Sequence, residues 1–322
     1  MGFIDNFKTG LSSYVEGTKF IFKHKLWYFF IFPAILSIGI FLLGQYFVSL
    51  ELDINEKLKA NNPENLNDLI WLNIELVISD GFYVIFTKFT KYIVIIILSP
   101  LLAMLSEKME EIMTGNVYPL NFRQLVHDVR RGVKIAMRNM FWEYFFLIVV
   151  LGLAAFFPKN EFKAVLIFSI PLIIGFYYYG FGFIDFINER RRLNIQQSTY
   201  FVRNHRGLAM SIGAVYSIVF MIPELLRYFF PGAFSNTYVY MIFATLAVTI
   251  APILAMASAT LAMQKVVGLE NNEWAIKKKD VLEGKNDESD KEIEKSEHLS
   301  NTENENSETS EKDQSPNQAE SE

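Results

Sequence analysis

The chain has no cysteine, which removes disulfides, thiolate metal sites and cysteine nucleophiles together. Histidine is almost as scarce. His24, His127, His205 and His298 stand far apart, so no zinc site built from closely spaced pairs is expected. Also missing are a phosphate-cradling glycine loop, a dinucleotide fingerprint, a zincin helix and a serine elbow. No nucleophile, metal set or acid–base pair converges, so the sequence reads as a non-enzyme with no metal and no cofactor. Nucleic-acid binding has no support either. The run Tyr177-Tyr178-Tyr179, with Phe176 and Phe181, reads as an interfacial or packing cluster.

What the chain does have is apolar sequence in long runs: 51% of its 322 residues are hydrophobic and 15% aromatic, a composition that favours the membrane class. A helix needs roughly 20 apolar residues to cross a hydrocarbon core of about 30 Å. Leu26–Leu50, Ala164–Ile184 and Tyr240–Met263 meet that requirement cleanly. Phe82–Leu105, Phe141–Phe157 and Leu208–Met221 are weaker, and the last two are short enough to enter a bilayer without crossing it. The expected fold is an all-α integral membrane protein with about six hydrophobic helices.

Three regions follow from the pattern. In residues 1–25, Phe3, Ile4, Phe7, Leu11, Tyr14, Val15, Ile21 and Phe22 recur at helical spacing opposite Asp5, Lys8, Glu16, Lys19 and Lys23. This predicts an amphipathic helix, lying in the membrane interface or packed on the protein's own surface. Residues 26–268 form the helical membrane domain. Residues 269–322 read as a charged cytoplasmic tail. From Asp280 onward it holds 15 acidic against 4 basic side chains, whereas the preceding residues hold 26 basic against 20 acidic. With so few branched or aromatic residues, the tail is expected to be disordered.

Loop charge sets the expected orientation. Basic residues concentrate in 1–25, 106–140, 187–207 and after the last span, whereas 51–80 holds two lysines against seven acids and 222–237 holds only Arg227. The positive-inside rule then places both termini in the cytoplasm, in a cell (inner) membrane.

The second span carries the unusual residues. Only uncharged residues lie between Lys91 and Glu107, which is less than a full crossing, so Lys88 and Lys91 or Glu107, Glu110 and Glu111 must lie in or near the bilayer. Snorkelling of the lysines is the plainer reading. Pro100 removes a backbone donor there and is expected to bend or break the helix. Ala247, Ala251, Ala255 and Ala259 permit close helix contact, as do Gly175, Gly180 and Gly182. The cluster Arg190, Arg191 and Arg192 is a topology signal, a contact for lipid headgroups, or an attractor of anions.

The stretch Ser99-Pro100-Leu101-Leu102-Ala103-Met104-Leu105-Ser106-Glu107-Lys108-Met109-Glu110, closing on Thr114-Gly115, resembles a hallmark of the CysZ sulfate permease family, which overlaps the etoposide-induced protein homologues. Tyr179-Gly180-Phe181-Gly182-Phe183-Ile184-Asp185-Phe186 is similar to that family's aromatic stretch. The likeness extends over roughly residues 1–268. Two departures stand out: Ala103-Met104 replaces a Gly-Leu, and Ile187, Arg190 and Arg191 stand where the family has a proline and an Asn-His pair. The resemblance implies an oligomeric helical membrane protein in which some helix pairs penetrate the bilayer only partly. It implies a permease for sulfate or a related small anion, with Glu107 the central ionisable group, Ser99, Pro100 and Ser106 shaping a broken segment, and Asp185 a further transport candidate. The implied partners are membrane lipid, a small inorganic anion and further copies of the chain. The competing reading is a non-transporting scaffold, lipid-handling or assembly protein.

Overall fold

The computed structural model describes residues 2–60, 91–118, 122–156, 161–234, 236–271 and 276–277. The expectations for the acidic loop 61–80, Lys88, residues 157–160 and the tail beyond Lys277 fall outside these residues.

Nine helices are described: α1 (Phe3–Lys23), α2 (Ile31–Ala60), α3 (Lys91–Thr114), α4 (Phe122–Ala155), α5 (Glu161–Arg190), α6 (Ile195–Asn204), α7 (Arg206–Phe229), α8 (Pro231–Phe234) and α9 (Thr237–Val267). Among the described residues six segments are long and apolar enough to cross a membrane: Leu26–Tyr46, Lys91–Thr114, Val129–Ala154, Ile167–Arg190, Arg206–Phe229 and Thr237–Val267. The protein is an all-α, multi-pass membrane protein, as its sequence predicts. The two segments read as short belong to longer helices. α4 runs 34 residues and α7 runs 24, the latter about 36 Å at 1.5 Å per residue. Charged or small residues at one end of each helix lie outside the apolar run yet continue the turn.

α1 has three faces. Asn6, Gly10, Ser13, Tyr14, Gly17 and Ile21 are buried, and they pack on α7 and α9. The fit depends on small side chains. A Cβ on Gly10 would lie 1.9 Å from Ser211 Oγ, and one on Gly17 3.2 Å from the Ser258 backbone nitrogen. Ser258 Oγ donates to the Gly10 carbonyl (3.1 Å) and Tyr14 Oη to the Ile212 carbonyl (2.6 Å). Burial pushes the Tyr14 phenol well above its ordinary pKa, so it remains a neutral donor. A second face, with Ile4, Leu11, Val15 and Phe22, stays exposed, and a third carries the charges. The helix is thus packed on the protein and still presents the apolar stripe that an interfacial helix needs.

α3 is the most enclosed span. Val94, Leu98, Leu102, Leu105 and Met109, at successive helical turns, are fully buried. The helix runs on through Pro100. The carbonyl left without its usual N–H is Ile96, four residues back, and Ser99 Oγ donates to it at 2.8 Å. The expected break is repaired by the preceding serine. α3 ends at Gly115, whose φ of +73° suits glycine. Asn116–Val117 then pairs antiparallel with Ile276–Lys277. Leu269–Asn271 adds a short 3-10 turn after α9.

α5 and α7 cross at backbone contact. A Cβ on Gly180 would lie 1.8 Å from the Ala209 carbonyl oxygen, and one on Gly213 1.8 Å from that of Phe176. On one side of this crossing the helices are buried, with Phe181, Phe183, Ile184, Leu208 and Ile212 at or near zero exposure. On the other side they present lipid-like surface: Phe168, Ile173, Ile222, Leu225 and Tyr228, joined by Phe145 and Ile148 of α4, by Phe156 just beyond it, and by Ile242 and Leu246 of α9. Of the alanine stripe, Ala251, Ala255 and Ala259 are buried within the protomer. A Cβ on Gly182 would meet open space.

Candidate functional site

Three polar assemblies bridge the spanning helices. The first joins α3, α5, α9 and the β-ladder. Arg190 ends α5, and its Nη2 donates to Ser106 Oγ (2.6 Å) and to Glu110 Oε2 (3.2 Å). Ser106 Oγ shares a 2.7 Å bond with Thr260 Oγ1. Glu110 Oε1 accepts from Asn116 Nδ2 (3.0 Å) and Tyr118 Oη (2.5 Å), and Asn116 Nδ2 also donates to the Leu269 carbonyl (2.8 Å). Side-chain exposures of 5% and 1% make Arg190–Glu110 a buried ion pair, which is tolerable only because each charge is paired and hydrogen-bonded. Helical spacing places Ser106 and Glu110 one turn apart on the same face of α3.

The second assembly joins α4, α5 and α6. Arg131 grips Asp185 with a fork, Nη2 to Oδ1 at 3.0 Å and Nε to Oδ2 at 3.2 Å, while its Nη1 donates to the Leu193 carbonyl (2.6 Å). Ser198 Oγ donates to Asp185 Oδ1 (2.5 Å) and Asn188 Nδ2 to Ser198 Oγ (3.1 Å). Arg138 donates to Thr199 Oγ1 (2.6 Å) and lies over the Phe181 ring. Asn194 caps α6 through a reciprocal pair with Gln197, which fixes Ser198 and Thr199 in the first two turns.

Between α3, α4 and α5 runs a small cleft with room for about one water molecule, lined by Tyr92 and Ile95, by Gly132, Ile135, Ala136 and Asn139, and by Tyr178, Gly182, Asp185 and Phe186. Gly132, Ala136 and Asn139 recur at i, i+4 and i+7, one face of α4. The glycines leave the space, and Asp185 stands at one end. The same face reaches Glu143 one turn past Asn139. There the third assembly lies: Tyr92 Oη donates to Glu143 Oε2 and Tyr179 Oη to Oε1 (3.4 Å). Lys91 stands over the Tyr179 ring, 5.3 Å from its centroid.

The structure distributes the sequence's candidates unevenly. Ser106 and Arg190 meet in the first assembly, and Asp185 anchors the second. Ser99 repairs the helix at Pro100. Glu107 is only partly buried, whereas Glu110, one turn on, is buried. Arg191 donates to Asn188 Oδ1 (3.3 Å) and lies over the Phe201 ring. Its guanidinium is drawn below the ordinary value by desolvation, against the opposing pull of Glu110. Arg192 turns the chain with φ of +52°. Among the described residues no group of three or more histidine or acidic side chains could hold a metal ion. Sequence reasoning missed Arg131, Asn139 and Glu143. The available signal was the polar-and-small spacing Gly132-Ala136-Asn139-Glu143 inside an otherwise apolar helix.

Comparison with known proteins gives one family. The model described as sulfate transporter CysZ/etoposide-induced protein 2.4 matches residues 13–231, which include all three assemblies except Thr260 and Leu269. No curated protein matches the chain.

Proposed function

The chain belongs to the sulfate transporter CysZ/etoposide-induced protein 2.4 family, and from that premise we propose that it carries sulfate or a related small anion across a cell membrane toward the cytoplasm. The observation behind this reading is the Arg131–Asp185 fork inside the spanning helices, where Asp185 lines a small, mostly apolar cleft between α3, α4 and α5. Polar and ionisable groups are costly there and belong to pathways more often than to packing. An arginine offers five donors, and Arg131 spends them on Asp185 and the Leu193 carbonyl. A tetrahedral oxyanion arriving from the cleft competes with Asp185 for that fork. The Asp185 partnership keeps the cleft close to neutral, and Ser198, itself held by Asn188, holds the carboxylate when the arginine turns away.

Both termini lie in the cytoplasm in this proposal, with Arg191 and Arg192 at the exit, where their charge favours anions, while Arg190 is paired with Glu110. Further copies of the chain are the partners that the family resemblance implies. The family resemblance gives Glu107 a gating or proton-linked role, since a bare carboxylate repels an anion. Glu110, the buried neighbour, structures the Arg190 cluster.

Labelled sulfate uptake by the purified protein in liposomes tests the reading, with sulfite and phosphate as competitors. Uptake above that of empty vesicles is expected. Glu107→Gln should abolish it with yield of folded protein unchanged, whereas Glu110→Gln should lower thermal stability first. Well-folded protein that moves none of the three anions would leave the scaffold reading in place, and wild-type uptake by Glu107→Gln would remove that residue from the mechanism.

A further inference from the structure

Arg138 is a cation without a matching acid. It stands half-buried on α4, and its guanidinium donates to neutral oxygens, Thr199 Oγ1 (2.6 Å) and Asn139 Oδ1 (3.4 Å). The carboxylate that acts on it is Asp185, already taken by the Arg131 fork and by Ser198. Two exposed arginines, Arg203 of α6 and Arg206 at the start of α7, close the same corner. These three arginines are the charged groups that act on the Tyr177 hydroxyl of α5, and Arg138 and Arg203 act on that of Tyr178 as well. Asn139 Nδ2 donates to the Tyr178 carbonyl (3.1 Å) and so fixes α4 against α5 at this level. Among the described residues none of the three arginines forms an ion pair with a carboxylate. Positive charge drawn partly out of water without a counter-charge is costly. The corner therefore calls for an anion from outside the chain.

The surface beside it indicates what carries that anion. On α4, Arg130 and Lys134 are exposed before Arg138. Phe141, Trp142, Phe145 and Val149, exposed after it, stand at i+3, i+4, i+7 and i+11 and share its face. On α5, Val165, Phe168 and Ile173 are exposed ahead of Tyr177 and Tyr178. Both helices thus change from polar to apolar surface at this corner, with tyrosine and tryptophan at the border, as at a membrane–water interface. A free phosphate would need the arginines alone. An apolar stripe leading away from them suits a phosphate that bears acyl chains.

We propose that Arg138, Arg203 and Arg206, with the Tyr177 and Tyr178 hydroxyls, bind the headgroup phosphate of an anionic phospholipid whose acyl chain lies along Phe141, Phe145 and Val149. Guanidinium groups meet phosphate oxygens with paired, charge-assisted hydrogen bonds, and the phenols add neutral O–H donors. Basic pockets between spanning helices take anionic headgroups by this chemistry. One bound phosphate would tie α4 to α6 and α7, whose ends at this corner otherwise repel one another through their arginines. The site makes no demand on the anion that the protein carries.

Native mass spectrometry of the full-length protein in neutral detergent, with phosphatidylglycerol or phosphatidylcholine added, tests this. Phosphatidylglycerol should be retained at collision energies that strip phosphatidylcholine, and it alone should raise the melting temperature by several degrees. Arg138→Gln should remove the difference between the two lipids. Arg203→Gln with Arg206→Gln alters exposed side chains and should cut retention several-fold in folded protein. Lys8→Gln with Lys19→Gln removes equal charge from exposed positions on α1 and should leave retention unchanged. Undiminished retention in the Arg203→Gln, Arg206→Gln protein, or an equal loss in the α1 pair, would overturn the site. Displacement of the lipid by millimolar inorganic phosphate or sulfate would overturn it too, because the corner would then hold a free anion.

Discussion

The two sides of the α5–α7 crossing are built on different chemistry. On the basic side, α1, α3, α5, α7 and α9 meet through glycine, alanine and serine, and the contacts are keyed by buried pairs such as Arg190–Glu110 and Arg131–Asp185. On the other side the same helices spread a skin of phenylalanine, isoleucine and leucine, with Phe156 89% and Tyr228 79% exposed. Lipid supplies no hydrophobic drive for helices to associate, so specific packing there depends on small residues and polar bonds. The first side is rich in both, whereas among the described residues the second has few, such as Tyr240 Oη donating to Glu224. Uniqueness of fold therefore resides in the basic half, and the apolar half is solvated by lipid.

That contrast makes uneven demands on substitution. The largest effect should come from breaking a buried pair: Arg190→Leu leaves the buried Glu110 without its counter-charge, beside the neutral donors Asn116 and Tyr118, and should cost about 3–5 kcal/mol. Thermal unfolding in detergent checks this, and the double change Arg190→Leu with Glu110→Leu should recover part of the loss. Next comes the crossing itself. Gly213→Ala drives a methyl group into the Phe176 carbonyl and should cost roughly 1–3 kcal/mol. The matched change in the apolar half, Leu225→Val, should stay within about 0.5 kcal/mol. Equal sensitivity at the two positions in the same unfolding assay would erase the distinction between the halves.

Much of the architecture was legible in the residues because bilayer thickness translates directly into run length. Six apolar segments predicted six long helices, and the glycine at 180 marked a true close contact. What escaped notice was how helices continue beyond their apolar runs: Gly132 to Arg138 looks like a basic loop but is the polar half of α4. Pro100 looked like a break because a proline's missing donor is visible in sequence, whereas the compensating geometry of Ser99 Oγ is not. The site was only partly readable. Ser106, Asp185 and Arg190 stood out by type and by family resemblance, yet their partners Thr260, Arg131 and Glu110 are assigned by packing across separate helices. Glu107 and Glu110 differ by one turn, and single-sequence spacing does not say which one faces inward.

The cysteine-free chain allows the central claim, an anion path between α3, α4 and α5, to be examined directly. Single cysteines at Ala136 and Asn139, and at Ile148 as the lipid-facing counterpart, would be treated with a small anionic thiol reagent in proteoliposomes, with and without sulfate. The path predicts modification at 136 and 139 that sulfate slows, and none at 148. Modification at 136 and 139 that ignores sulfate, or no modification there while 148 reacts, would contradict it.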